Sequence, residues 1–125
     1  MVSLDEVFSD FKDYAGFDEE YEVSVNSKAA DGKTPLHWMA VLGDHHGVAL
    51  LLTAGAGINK SDHEGATPLH DAVLSRQTLV VEILVLAGAD LNIQNFAGLT
   101  PMELALNDGF QPCVEFLTKF LINLK

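Results

Sequence analysis

The chain has 125 residues, enough for one domain, and 48% of them are hydrophobic, so it can bury a core and is not a disordered tail. Seven basic residues against 18 acidic ones leave a net charge of −11, which disfavours DNA, RNA and anionic membrane and favours a protein partner with a basic surface. The single cysteine, Cys113, excludes an internal disulfide and a multi-cysteine zinc site.

The first ten residues carry no basic segment and no long apolar one, so no secretory leader is expected. Ser3-Leu4-Asp5-Glu6 reads as a capping box. Leu4, Val7, Phe8, Phe11 and Ala15 follow at helical spacing, and Gly16 is the expected stop. Residues 1–31 hold nine acids against Lys12 and Lys28, a net −7, whereas residues 32–125 carry only −4. One reading is a solvated cap that keeps the protein soluble. The other is a steering patch for a basic partner, with Asp18, Glu19, Glu20 and Glu22 around the aromatic anchor Tyr21.

Repetition begins near residue 29. Gly32-Lys33-Thr34-Pro35-Leu36-His37 recurs as Gly65-Ala66-Thr67-Pro68-Leu69-His70 and again as Gly98-Leu99-Thr100-Pro101-Met102-Glu103, a step of 33 residues. Gly55-Ala56-Gly57-Ile58-Asn59 and Gly88-Ala89-Asp90-Leu91-Asn92 keep the same step, and Val25-Asn26 extends it back into the first segment. Each threonine can cap a short helix, with proline at its first position. Gly43 and Gly109 are expected to end two of these helices in the left-handed conformation, and Arg76 stands where the third such glycine belongs. A second, more apolar helix follows in each unit. Its buried face is expected from Val48, Leu51 and Leu52, then Val80, Val81, Ile83 and Leu84, then Val114, Phe116 and Leu117. Residues 60–66 and 93–99 read as exposed hairpin loops. A helix pair this small cannot bury its own apolar face, so the units must stack as a solenoid.

These motifs resemble the ankyrin repeat, a 33-residue unit with Gly-x-Thr-Pro-Leu-His, then Ala-Ala-x-x-Gly, then Val-Val-x-x-Leu-Leu-x-x-Gly-Ala-Asp-x-Asn. The resemblance implies an all-α ankyrin-repeat solenoid of stacked helix pairs with short hairpin loops. It divides a single domain, residues 1–125, into an acidic N-terminal cap (1–28) and repeats at 29–61, 62–94 and 95–125. Three departures stand out. Met39 replaces a customary small alanine. Asp71 occupies a position that is apolar in its counterparts Trp38 and Leu104. The last unit lacks the Gly-Ala stop, since Phe120 to Lys125 reads as continued helix, and this apolar tail is expected to fold back over the final core, with an exposed contact surface as the other reading.

No catalytic motif stands in the chain. Gly-x-Ser-x-Gly, the P-loop, Gly-x-Gly-x-x-Gly and His-Glu-x-x-His are all missing from the sequence. His37 and His70 are expected to tie hairpin to helix, with His45 and His46 at a turn and His63 at a hairpin tip, so five histidines on separate edges predict no metal site. Cys113 is read as a packed thiol. No enzyme activity and no cofactor is expected. Residues 79–89, the most apolar stretch, are interrupted by Glu82 and too short to span a bilayer, and the cytoplasm is the simplest compartment.

The resemblance places partner binding on the concave face of hairpin tips and first helices. There Trp38, Leu42, Leu74, Phe96 and Leu99 supply an apolar centre. Asp31, Glu64, Asp71 and Asp108 supply an acidic rim, with Lys33 and His63 beside them. Trp38 reads equally as a packing residue between units. Two functions stay open: a non-catalytic interaction module for a folded partner, or an acidic immunity protein or antitoxin that masks a basic toxin such as a nuclease. A monomer is expected, with a homodimer through the C-terminal tail as the other assembly.

Overall fold

Threonine, proline and glycine at fixed intervals set the helix ends. The computed structural model describes residues 3–18 and 20–124 and, among them, contains seven helices and no strand. They are α1 (Leu4–Ala15), α2 (Pro35–Leu42), α3 (His45–Thr53), α4 (Pro68–Leu74), α5 (Thr78–Leu86), α6 (Pro101–Asn107) and α7 (Gln111–Asn123). Thr34, Thr67 and Thr100 each accept a hydrogen bond from the third residue of their helix, whose side chain (His37, His70, Glu103) accepts in return from the threonine N–H. This reciprocal cap satisfies two of the backbone donors that a helix start leaves free.

The helices form two rows. The inner row is α2, α4, α6 and the outer row is α3, α5, α7, each helix packed on its successor. Val7, Leu36, Leu51, Leu69, Leu84, Leu104 and Leu117 run through one continuous buried core. Hydrogen bonds repeat with the sequence period. His63 N donates to Asp31 O and Phe96 N to Glu64 O, both at 2.9 Å, so each hairpin tip hangs on the one before it. The Asn26 side chain accepts from Gly57 N, and the Asn59 side chain accepts from Asp90 N, again at 2.9 Å.

The first 28 residues follow that register only in part. Asp10 lies 33 residues before Gly43, where the repeats turn between helices, yet it sits inside α1. One unbroken helix therefore replaces a pair. Val7 and Phe11 are fully buried, and α1 lies across both α2 and α3. Ser3 caps it and Gly16 ends it in the left-handed conformation.

Arg76 adopts φ 55°, the left-handed region that Gly43 (φ 74°) and Gly109 (φ 64°) occupy in the other two units. A side chain there is strained by about 1–2 kcal/mol. Two contacts offset the strain. The guanidinium donates to Asp108 O at 2.8 Å and lies over the Phe110 ring, 5.2 Å from its centroid. Alanine would lose both contacts and keep the strain, whereas glycine would lose both and relieve it. Arg76→Gly is therefore expected to stay about 1 kcal/mol more stable than Arg76→Ala. Equal urea midpoints for the two variants would refute a strained turn.

The tail continues as helix, as its sequence reads, but does not fold back. α7 has 13 residues against nine in α3 and α5, and it continues to Asn123 without a turn. Nothing in Phe120-Leu121-Ile122-Asn123 can break a helix, so the chain does not fold back. Leu121, Ile122 and Leu124 stay in solvent, with Ile122 63% and Leu124 66% exposed.

Candidate protein-binding surface

One side of the stack is built from α2, α4 and α6 and the hairpins that feed them. Leu42 and Leu74 end α2 and α4 and are about half exposed, while Phe96 at the third hairpin tip is 80% exposed. Gly65 lets the Phe96 ring lie close, since a Cβ on that glycine would fall 2.7 Å from it. Leu99 is half-buried, and Asp31, His63, Glu64 and Asp108 are exposed. Ala30, Ala97 and Asn107 are exposed as well, while Ala66 is buried at the foot of its hairpin.

Two residues placed on this face by sequence have partners beneath it. Asp71 is buried, and its carboxylate takes the Lys33 ammonium at 2.6 Å. Lys33 also reaches Asp62 at 2.7 Å, so one cation spans two repeats between two carboxylates. Asp71 is thus corrected from rim to interior. Its position is apolar in the neighbouring repeats, and a charge is admitted there because Lys33 comes with it. Burial raises the Asp71 pKa, and the ammonium only partly counters that. Burial also opposes ionisation of Asp62. Lys33 and the backbone N–H groups of Ala66 and Glu64 outweigh it and hold that carboxyl below its usual range. Burial disfavours the Lys33 charge too, yet its two carboxylates raise its pKa well above the ordinary lysine value.

Trp38 is half-buried, and the Tyr14 ring stacks on it with centroids 4.0 Å apart and planes 15° from parallel. Its packing partner is the cap helix α1. The Tyr14 hydroxyl donates to Asp31 Oδ2. Burial and that carboxylate push Tyr14 up to about 12. Burial works against the Asp31 charge, but the Tyr14 hydroxyl and Lys33 keep its carboxyl below the usual range. Tyr14 had no distinctive signal in sequence beyond being an aromatic in the cap, opposite an aromatic in the first inner helix.

His37, Asp62 and Asp71 bring ligand-type atoms within 4.8 Å of one another, a convergence that spacing alone did not reveal. The chemistry there belongs to Lys33. The Thr34 N–H donates to His37 Nδ1 at 3.1 Å, so the ring proton is assigned to Nε2, which donates to Ala66 O at 2.9 Å. Neither ring nitrogen offers a lone pair to a cation. Burial lowers the His37 pKa and keeps the ring neutral. His70 repeats the arrangement, with Nε2 2.9 Å from Leu99 O. Glu103 replaces the histidine in the third unit. His45 and His46 lie side by side in the first turn of α3, ring centroids 4.2 Å apart and planes tilted by 38°. Cys113 is fully buried, and burial pushes its thiol up to about 11, the opposite of nucleophile activation.

The acidic segment presents Asp18, Glu20, Tyr21 and Glu22 to solvent; Glu19 lies outside the described residues. Tyr21 stacks on Phe17 with centroids 4.1 Å apart, and its N–H bonds the Asp18 side chain at 3.0 Å.

Two rows of short helices, joined by hairpins that hydrogen-bond from unit to unit, define a repeat solenoid. The family model described as "Ankyrin repeats (3 copies)" matches residues 14–95, about two thirds of the sequence, and the chain belongs to the ankyrin-repeat family. Members of that family are in general protein-interaction modules and typically not enzymes. The match reaches back into α1 and stops where the third unit begins. Among curated proteins, none matches this sequence. No helix of the described residues is long and apolar enough to cross a membrane.

Proposed function

We propose that this protein is a non-catalytic interaction module that binds a folded protein with a basic surface through its concave face. The observation that carries the reading is the bare apolar row Leu42, Leu74 and Phe96, bordered by Asp31, Glu64 and Asp108. An apolar centre with a charged rim is the usual anatomy of a protein interface. In this division of labour the apolar side chains set dissociation, and the −7 of residues 1–31 speeds encounter. Residues 1–28 act as the cap of one domain. Lys33, Asp71 and Trp38 support the face from behind.

That density of negative charge also favours a second reading, an acidic immunity protein or antitoxin that masks the nucleic-acid site of a basic toxin. An association rate near the diffusion limit at low salt, with nucleic acid competing, would separate it from a general adaptor.

The test is surface-bound kinetics against a partner captured from the source cell, across a salt series. Converting Asp18, Glu19, Glu20 and Glu22 together to Asn and Gln is expected to slow association at low salt and change little at about 0.5 M, where charges are screened within a few ångströms. Phe96→Ala is expected to speed dissociation about tenfold at every salt concentration. Unchanged dissociation for Phe96→Ala would remove the concave face from the reading.

A further inference from the structure

The two ends of the solenoid carry surfaces that neither the family nor the concave face accounts for. At the front, α1 and the segment after it enclose an open groove of about 580 Å³. Phe8, Phe17 and Val23 line its apolar part, and Asp5, Asp13 and Glu22 stand around them, with Lys12 as the single basic lining residue. At the back, α7 has a turn more than its counterparts, and that turn leaves Leu121, Ile122 and Leu124 in solvent. Terminal units of a solenoid are normally polar on the outside, because an apolar face there has no neighbour. Here both ends keep apolar surface.

Their charges are opposite. Residues 111–125 hold Glu115 against Lys119 and Lys125, a small basic surplus in a strongly acidic chain. The groove lies in the most acidic quarter. An amphipathic helix laying apolar side chains into a groove is a common recognition mode, and opposite charge fixes which helix is accepted. α1 packs on the first helix pair and α7 on α5 and α6, so a chain's own tail is at the far end from its groove. The docking is therefore between molecules.

We propose that the α1 groove receives the C-terminal turn of α7 from a second copy of this chain, so that solenoids associate head to tail. Leu121, Ile122 and Leu124 enter against Phe8, Phe17 and Val23, and Lys119 faces Asp5 and Asp13. The contact uses different patches on the two molecules, so it does not close on itself, and a dimer still has one free groove and one free tail. The concave face stays uncovered, and the assembly is independent of what that face binds.

The experiment is sedimentation velocity on the full chain over a concentration series, with two variants that touch only exposed positions. Ile122→Glu spoils the tail, and Asp5→Lys with Asp13→Lys spoils the groove. Circular dichroism first checks that each keeps the helix content of the parent. The parent is expected to grow beyond a dimer as concentration rises, and each variant alone is expected to stay monomeric. Mixed, they are expected to form a complex of two chains that grows no further, because the intact groove of one accepts the intact tail of the other.

A parent that is monomeric at about millimolar concentration, where contacts weaker than about −4 kcal/mol vanish, would overturn the proposal. Association lost with Ile122→Glu but kept by the Asp5→Lys and Asp13→Lys variant alone would overturn it in favour of a symmetric tail-to-tail dimer, and a mixture that forms no two-chain complex would overturn it too. Association indifferent to Ile122→Glu would overturn it as well.

Discussion

Gly47→Ala is expected to destabilise the parent and to stabilise a Met39→Ala background. Met39 is fully buried where the second and third units have Ala72 and Ala105. The opposing position in the next helix is Gly47, against Val80 and Cys113 in those units. The volumes are complementary: a long side chain faces no side chain in the first unit, and a small one faces a larger one in the others. A Cβ on Gly47 would lie 2.8 Å from Met39 Sδ, closer than real contacts allow. In the parent, the added methyl overpacks the site and costs about 1–3 kcal/mol. Met39→Ala alone opens a cavity and costs about 2–5 kcal/mol. With the sulfur gone, the same methyl fills part of the space, and alanine regains up to about 1 kcal/mol of helix propensity over glycine. The Asp44 carboxyl, 3.1 Å from the added atom, caps α3 by accepting from Gly47 N and can shift by a few tenths of an ångström. Urea unfolding of the four proteins reads the coupling. Additivity within about 0.5 kcal/mol would show that the two positions do not share one space.

That pair shows what a sequence read in register discloses and what it hides. Met39 stood out at once as too large for its position. The compensation at Gly47 was equally present, because glycine inside an apolar helix is unusual, but reading it needs the facing of α2 and α3. Caps and stops were legible because they are local. A threonine before a proline and a glycine at φ 74° act on the backbone beside them. Asn26 and Asn59 were legible as markers of the period, while the inter-unit hydrogen bonds that they make came from the structure. The side chains that leave the repeat pattern were not. Lys33 lies in a hairpin and looks exposed, but it reaches carboxylates 29 and 38 residues away. Tyr14 belongs to a helix outside the register and covers Trp38. The end of α7 was misjudged because apolar residues beyond the last unit were assumed to find cover, and the backbone gave them no turn with which to reach it. The candidate surface was therefore legible in outline through Leu42, Leu74 and Phe96. Its acidic rim was overdrawn by Asp71.

A large loss at neutral pH is expected from Lys33→Met. Side-chain exposure is 20% for Lys33, 4% for Asp62 and 6% for Asp71, so removing the cation strands two carboxylates almost out of water. Breaking a buried pair from one side costs about 3–5 kcal/mol, and the partial exposure of Lys33 sets the expectation at about 3. The two carboxylates respond oppositely to acid. Asp62 has its folded pKa below the ordinary 3.8, so its contribution is present above that value and is lost as pH falls through the folded one. Asp71 has its pKa raised by burial, so its contribution is complete below 3.8 and is lost as pH rises through the folded value. Without Lys33 both pKa values move up, and protonation removes the stranded charge. The gap between parent and variant is therefore widest at neutral pH and narrows as pH falls into the ordinary aspartate range. A second change separates the pair from mere packing. Asp71→Leu added to Lys33→Met installs what the third unit has at Leu104 and leaves Asp62 its hydrogen bonds from Glu64 N at 2.8 Å and Ala66 N at 2.9 Å. The double variant is expected to recover most of the loss, since an apolar replacement of a buried pair is often neutral. Urea midpoints at neutral and acidic pH measure both effects. A double variant no more stable than Lys33→Met, or a gap that does not narrow in acid, would show that the ion triad does not lock the first two repeats together.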